Sequence, residues 1–387
     1  MNKKELELYI HIPFCVRKCS YCDFLSAPAT EQTREAYMAA LFAEIGGRAK
    51  DYSDRTVTSI FIGGGTPSLL SGEQIGQLMD RIREQFAMAQ DAEITMEVNP
   101  GTVSAEKLRN FYTAGINRLS IGMQSAQAEE LKNLGRIHDF EGFCQVYREA
   151  VEAGFTNINV DIMSGLPGQT LASYRDTLEK VLHLEPMPQH ISAYSLIVEE
   201  GTPFAAMAER GELPLPEEET ERAMYEETIE VLAKYGFHRY EISNYARDGY
   251  ECRHNVGYWI RRDYLGFGIG AASLIDNVRF QNEKSLGAYL AHPLESREEE
   301  QTLTVQDRME ETMFLGLRLT RGVSCVDFAE QYGRTVEEVY GEVIARNVAD
   351  GLLTVTERKE NQKKDRLLAL TKRGLDLSNY VMAQFLF

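Results

Sequence analysis

The sequence predicts an α/β fold: a partial (β/α)6 TIM-like barrel, then a smaller C-terminal unit that looks like a winged helix. Three observations carry this. Short β-branched runs alternate with helical patterns through the first half of the chain, and such alternation means parallel strands joined by right-handed crossovers. No G-x-G-x-x-G stands at the first βα turn, which disfavours a doubly wound sheet. The C-terminal stretch reads as helix, helix and hairpin.

The elements follow in order. Leu6–His11 reads as a strand and Glu31–Lys50 as the helix behind it. Thr56–Ile62 and Gly72–Phe86 form the second pair, and Ala92–Val98 and Ala105–Ala114 the third. Asn117–Met123 is a fourth strand, followed by helices Ala128–Leu134 and Phe140–Ala153. Thr156–Met163 with Leu171–His183 makes a fifth unit, and His190–Leu196 is the sixth strand. Glu212–Glu221 is rich in Pro and Glu and reads as a solvated connector into the helix Thr220–Tyr235. Arg239–Ser273 is rich in Tyr and Gly and lacks clear periodicity. Glu295–Glu311 carries seven carboxylates against two arginines and reads as a linker running into a helix. In the tail, Cys325–Tyr332 and Val336–Asp350 read as helices broken at Gly333. Leu352–Thr356 and Leu367–Leu370 read as a hairpin around polar Glu357–Asp365, and a last helix spans Lys372 to Phe385. The resulting division is 1–238, 239–294 and 295–387, and 387 residues suit such a count.

Composition narrows the function classes. The chain is 43% hydrophobic and 26% charged, as soluble proteins are, and has no apolar run long enough to span a membrane. This leaves room for transient membrane association only. Glu5 and Glu7 stand where a signal peptide needs an apolar core, so the cytoplasm is the expected location. A net charge of −18 makes nucleic acid a poor partner. Arg358, Lys359, Lys363 and Lys364 at the hairpin tip accordingly read as a solvated loop rather than a phosphate site.

The cysteines carry the chemistry. Cys15, Cys19 and Cys22 form C-x3-C-x2-C directly after the first strand, while Cys144, Cys252 and Cys325 are scattered and read as packing. In a chain with too few cysteines for a disulfide scaffold, such clustering points to metal. Soft sulfur ligands suit an iron–sulfur cluster or zinc. A closed zinc site wants a fourth ligand, and none stands nearby. Three thiolates on a four-iron cluster leave one iron open to a small molecule.

C-x3-C-x2-C after the first strand of a βα-repeat chain resembles the radical S-adenosylmethionine superfamily. Tyr9-Ile-His11-Ile-Pro13-Phe-Cys15 and Gly63-Gly-Gly-Thr66-Pro-Ser68 are similar to the subgroup of oxygen-independent coproporphyrinogen III dehydrogenases and HemW heme chaperones. The resemblance covers nearly the whole chain. It implies a [4Fe-4S] cluster on Cys15, Cys19 and Cys22 whose open iron chelates S-adenosylmethionine; an electron from the cluster then cleaves the sulfonium to a 5′-deoxyadenosyl radical. It also implies cofactor contacts from Tyr9, Tyr21, Gly64, Gly65, Thr66, Glu97, Gln124, Arg136 and Asp161. Among these, Gly64 to Thr66 would take the methionyl amino group, Arg136 its carboxylate, and Asp161, expected to end the fifth strand, the ribose hydroxyls. Strand ends are where barrel active sites lie.

Two departures separate the subgroups. The dehydrogenases carry a further cysteine two positions after the third, and here that position is Phe24. The chain also begins fourteen residues before Cys15, without the longer extension of those enzymes. His254-Asn-Val-Gly-Tyr258-Trp259 matches the H-N-x-x-Y-W motif of the chaperones and holds the single tryptophan. Imidazole is a good axial ligand to heme iron, and Tyr258 and Trp259 offer flat faces to a porphyrin. Cys252 is a second, less favoured donor. The expectation is a heme-binding protein that delivers heme to respiratory hemoproteins, with no catalytic residue assigned. The alternative is oxygen-independent coproporphyrinogen III oxidation in porphyrin biosynthesis.

Overall fold

A computed structural model describes residues 3–360 and 363–386. The six predicted strands are present: β1 (Lys4–Ile12), β2 (Arg55–Gly64), β3 (Ala87–Val98), β4 (Arg118–Gln124), β5 (Ile158–Ser164) and β6 (His190–Ser195). They lie side by side in sequence order and run parallel. The helices between them are α1 (Glu31–Arg48), α2 (Gly72–Gln85), α3 (Ala105–Thr113), α4 (Ala128–Leu134), α5 (Phe140–Ala153) and α6 (Leu171–Leu182). Five of the six begin on short polar N-caps, and Thr30, Ser71, Ser104, Asp139 and Thr170 each accept a bond from the first turn, whereas α4 starts after Gln127 without a side-chain cap. Leu6, Leu8, Ile10 and Ile12 on β1 are all buried, and with Ile60, Ile62, Leu119, Ile121 and Val160 they anchor the main core. Alternate positions of these strands carry Glu7, Ser59, Glu93, Arg118, Asn159 and His190, which are buried too. The parallel sheet is thus covered on both faces, with an apolar layer on one and a polar layer on the other.

The rest of the sheet was not legible in the sequence. Beyond β6 come α7 (Pro203–Glu209), α8 (Glu218–Lys234), β7 (His238–Arg239), β8 (Asn244–Ala246) and α9 (Arg253–Trp259). Then follow β9 (Tyr264–Phe267), β10 (Ala272–Ile275), β11 (Val278–Asn282), α10 (Leu286–Ala291) and β12 (Arg297–Thr302). β9 pairs parallel to β1, and β10 to β12 continue antiparallel, while β8 and β7 extend the other end, giving twelve strands. The segment expected to be aperiodic therefore supplies both flanks of the barrel. Arg297–Thr302, expected to be linker, is a strand with every residue exposed. Pairing with β11 supplies its ladder, so it needs no apolar face to betray it. β3 begins at Ala87 rather than Ala92, because Ala87 and Met88 already pair with β2.

The tail comprises α11 (Val305–Gly316), β13 (Val323–Ser324), α12 (Cys325–Tyr332), α13 (Val336–Ala349), β14 (Leu353–Glu360), β15 (Lys363–Leu370), α14 (Lys372–Asp376) and α15 (Ser378–Ala383). A three-stranded antiparallel sheet with α12 and α13 is the winged-helix-like unit, packed around Met313, Phe328, Tyr340 and Phe385. The hairpin strands run beyond their expected ends, because Glu357 faces Arg366 and Arg358 faces Asp365, pairs of opposite charge that extend the ladder. The side chains of Lys359 and Lys363 lie outside the described residues. The last helix is two, divided at Leu377. Among the described residues no helix is long and apolar enough to cross a membrane.

Candidate functional site

The cysteine loop leaves β1 at Pro13 and is clamped along its length. The N–H of Cys15 donates to Ala27 at 3.2 Å, that of Ser20 to Leu134 at 3.1 Å, and that of Phe204 to the Ser20 carbonyl at 3.1 Å. Arg17 donates to the Gly135 carbonyl at 2.7 Å. Leu134, Met163, Leu166 and Phe204 form a small core against which Tyr21 packs. All three thiols are free, half-buried and line one cavity of about 330 Å³. Among the described residues no three His, Cys, Asp or Glu side chains converge on a single-ion site. Three soft ligands lining a common space are the donor set of an iron–sulfur cluster, whereas a closed zinc centre wants four. Burial pushes the Cys22 thiol up; the Phe24 N–H works against this, and Cys19 and Cys15 add to it.

The same cavity gathers most of the expected cofactor residues: Tyr21, Gly64, Gly65, Thr66, Glu97, Gln124, Arg136 and Asp161. Gly65 is a close approach: a Cβ there would meet the Phe14 carbonyl oxygen at 2.7 Å. Gly64 sits at φ +112°, and a Cβ on it would meet the His11 ring at 2.6 Å. The Gly64 N–H donates to Glu97 at 3.0 Å. Burial, helped by Asp161, pushes the Glu97 carboxyl up to about 8 against that bond, so it holds a proton at neutral pH. Thr66 donates to Cys15 Sγ at 3.5 Å. Arg136 reaches Cys19 Sγ at 3.9 Å and donates to the Gly122 carbonyl at 2.7 Å. Gln124 adopts φ 70°, a strained setting for a residue with a side chain.

Two expected placements change. Asp161 is the fourth residue of β5 rather than its last, and it faces inward to accept from Asn159 at 2.7 Å and from Ser120 at 3.3 Å. Burial raises its carboxyl. Tyr9 does not line the cysteine cavity. It donates to His11 Nδ1, or accepts from it, at 3.0 Å, and lines a neighbouring cavity of about 380 Å³ with Phe24, Tyr258 and Tyr264. The two cavities share Phe24, Gly64 and Glu97. Phe24 is 61% exposed, so the residue in the extra-cysteine position stands at the common mouth.

The His254 motif is not an open surface. His254 is only 1% exposed, and burial, with Arg118 and Arg262 nearby, pushes it down to about 3, so it is neutral. Its Nδ1 bonds Ser59 Oγ at 2.8 Å, its Nε2 bonds Tyr258 Oη at 3.1 Å, and its ring stacks on Phe61. As folded, the expected axial ligand has neither ring nitrogen free. Trp259 lies at the junction with the tail, covered by the Arg318 guanidinium at 4.4 Å. It does not share the cavity that Tyr258 lines. Glu93 holds the start of α9 by accepting from the N–H groups of Arg253 and His254 at 3.1 Å each. Cys252 is fully buried beside Glu93, and burial pushes its thiol up to about 12. It is packing, as its sequence suggests.

Residues 9–181 match the model of the radical SAM superfamily, and residues 303–377 that of the HemN C-terminal domain. The chain is 38% identical to a protein named heme chaperone HemW from Bacillus subtilis, with 98% of each chain covered. The chain belongs to the HemW family of radical SAM proteins. HemW relatives from Lactococcus lactis and Escherichia coli are 36% and 37% identical over 100% and 90% of this chain. A solved structure described as the radical SAM enzyme coproporphyrinogen III oxidase (HemN) from Escherichia coli superposes with a TM-score of 0.85 at 28% identity. It covers 100% of this chain and 91% of that one.

Several cavity residues escaped the sequence reading of this HemW-family chain. Arg118, Ser120, Asn159, Ser192, Tyr194 and Asn255 all line the cysteine cavity. Alternation along β4, β5 and β6 places Ser120, Asn159 and Ser192 on the inner face, a signal that was available. Arg118, two residues before Ser120 on β4, shares that face and that signal. Burial works against its charge, and Cys252, Glu93, Tyr240 and Asp161, from distant parts of the chain, outweigh it and raise its pKa.

Proposed function

We propose that this chain binds heme and hands it to respiratory hemoproteins, carrying a [4Fe-4S] cluster on Cys15, Cys19 and Cys22 and S-adenosylmethionine in the adjoining cavity. The observation that carries this over the alternative is Phe24: an exposed ring stands where the coproporphyrinogen dehydrogenases place a cysteine. Full-length similarity to HemW proteins supports it. When bound, the cluster supplies an open iron for the methionyl amino and carboxylate groups. Gly64, Gly65 and Thr66 take the amino end through their backbone, and Arg136 pairs with the carboxylate. Glu97, its carboxyl raised by burial and by Asp161, would stand beside the cationic cofactor. Asp161, held by Asn159 and Ser120, accepts from the ribose. Tyr21 and Gln124 complete the walls, and Tyr9 acts from across Gly64. The barrel core of 1–238 is completed by strands from the motif-bearing segment, 239–294, and by β12 at the start of the expected C-terminal unit, 295–387, and we place the protein in the cytoplasm.

The second reading, oxidation of coproporphyrinogen III, is favoured by the likeness to HemN. One anaerobic experiment separates the two. The reconstituted protein is given S-adenosylmethionine and reductant, with either heme or coproporphyrinogen III. Heme binding with a Soret band and no protoporphyrinogen IX is the expected result. Sustained conversion of coproporphyrinogen III would overturn the proposal.

A further inference from the structure

The cavity beside the cofactor site has no part in holding the cluster, yet it is built of rings. Tyr9, His11, Phe24, Tyr258 and Tyr264 line it. Tyr258 and Tyr264 meet edge to face, with centroids 4.7 Å apart. Exposed Phe24, Leu25 and Ala272 border it, so a flat ligand can lodge an apolar edge inside and keep its carboxylates in water. The H-N-x-x-Y-W motif reaches this cavity through Tyr258 alone. α9 is set there by a close approach: a Cβ on Gly257 would lie 2.0 Å from the Glu7 carboxylate.

Resting on the heme-binding reading above, we propose that this cavity is the porphyrin site, that Tyr258 Oη is the ligand to ferric iron, and that His254 is a positioning residue acting through it. Tyr258 lines the cavity and His254 does not; its Nδ1 is held by Ser59 and its Nε2 by Tyr258 Oη. Tyrosine is an established class of heme ligand. With the ring proton on Nδ1, donated to Ser59, Nε2 accepts from the phenol. Ligation forms the Oη–iron bond and breaks Oη–H; the proton leaves to water at the cavity mouth, the imidazole stays neutral and orients the phenol, and no electron moves. A second tyrosine–histidine pair, Tyr9 with His11, faces the same space, but His11 Nε2 is tied to the Leu25 carbonyl at 2.9 Å. That pair is therefore tied to the loop that carries the cysteines, while the Tyr258 pair is anchored on β2 through Ser59.

The test is a titration of ferric heme into the reconstituted wild type and into Tyr258→Phe, Tyr9→Phe, His254→Ala and His254→Gln, read by optical and electron paramagnetic resonance spectra, with iron–sulfur content as the folding control. Wild type should show a high-spin ferric site with phenolate-to-iron charge transfer. Tyr258→Phe should lose that band and bind about tenfold more weakly or worse with its cluster intact. His254→Ala should weaken the band, and His254→Gln, which still accepts from the phenol, should restore it. A low-spin imidazole spectrum in wild type, or loss of the band in Tyr9→Phe but not in Tyr258→Phe, would overturn the assignment while leaving heme binding standing. Absence of heme binding by wild type would overturn both.

Discussion

Glu7 sits in the fourth position of β1, buried beneath α9, with Arg262 at 3.3 Å, His254 Nδ1 at 3.9 Å and its Oε2 lacking a hydrogen bond. Burial pushes its carboxyl from 4.5 up to about 8; Arg262 works against this, Glu93 with it, and Ser59 against it. The sign follows from proton counting. Between pH 4.5 and about 8 the unfolded chain has lost this proton and the folded chain keeps it, so stability falls as pH rises through that window. Glu7→Gln keeps the shape and an acceptor for Arg262 but cannot ionise. Its stability relative to wild type should therefore climb from pH 4.5 to about 8 and level off above. The gain at the top should be about 1 kcal/mol or more. Urea unfolding at several pH values measures it, and a pH-independent difference would count against a neutral Glu7.

At the scale of elements, the loop after β1 and helix α9 show two ways of placing chemistry. The loop is held by backbone bonds to its surroundings, from Ala27, Leu134 and Phe204, so its thiol positions do not depend on one another for folding. Single cysteine losses should leave the fold and remove the cluster. Cys19→Ala should reduce iron from about four per chain to near zero after anaerobic reconstitution, whereas Cys144→Ala on α5 should retain it. Iron and sulfide analysis with circular dichroism decides; full iron in Cys19→Ala would remove the basis for the cluster. α9 instead depends on its partners at both ends. Glu93 holds its first N–H groups, and Trp259 at its end packs under Arg318 of the tail.

Over the whole molecule, the tail is joined to the barrel through a few strong contacts. Glu311 on α11 is buried between Arg261 and Arg279, each at 2.8 Å. The Thr320 N–H donates to the Tyr240 carbonyl at 3.0 Å, and Glu241 bridges to Leu319. Removing one member of a buried charge group leaves the others uncompensated. Glu311→Ala should cost about 3 kcal/mol. The loss should appear in urea unfolding as an early step confined to the tail, reported by the fluorescence of Trp259. A single transition at the wild-type midpoint would show that the charge group does not join the two parts.

The sequence by itself determined the six central strands, most helix boundaries and the cysteine loop. These rest on local signals: hydrophobic period, capping residues such as Ser71 and Thr170, and ligand spacing within one short loop. The strand-end positions of Gly64, Glu97 and Gln124 were legible for the same reason. Only the tertiary structure decided the rest. β12 exists because β11 offers a ladder, and no property of Arg297–Thr302 alone demands it. The inward side of Arg118 follows from alternation along β4, but Cys252, Glu93, Tyr240 and Asp161, which hold its charge against burial, are brought to it only by the fold. His254 looked like an open ligand because its motif is polar and aromatic. Its two ring nitrogens are taken by Ser59, 195 residues away in the chain, and by Tyr258. A hydrogen-bonding side chain announces its chemistry in the sequence, but whether its lone pairs stay free depends on partners that only the folded chain brings near.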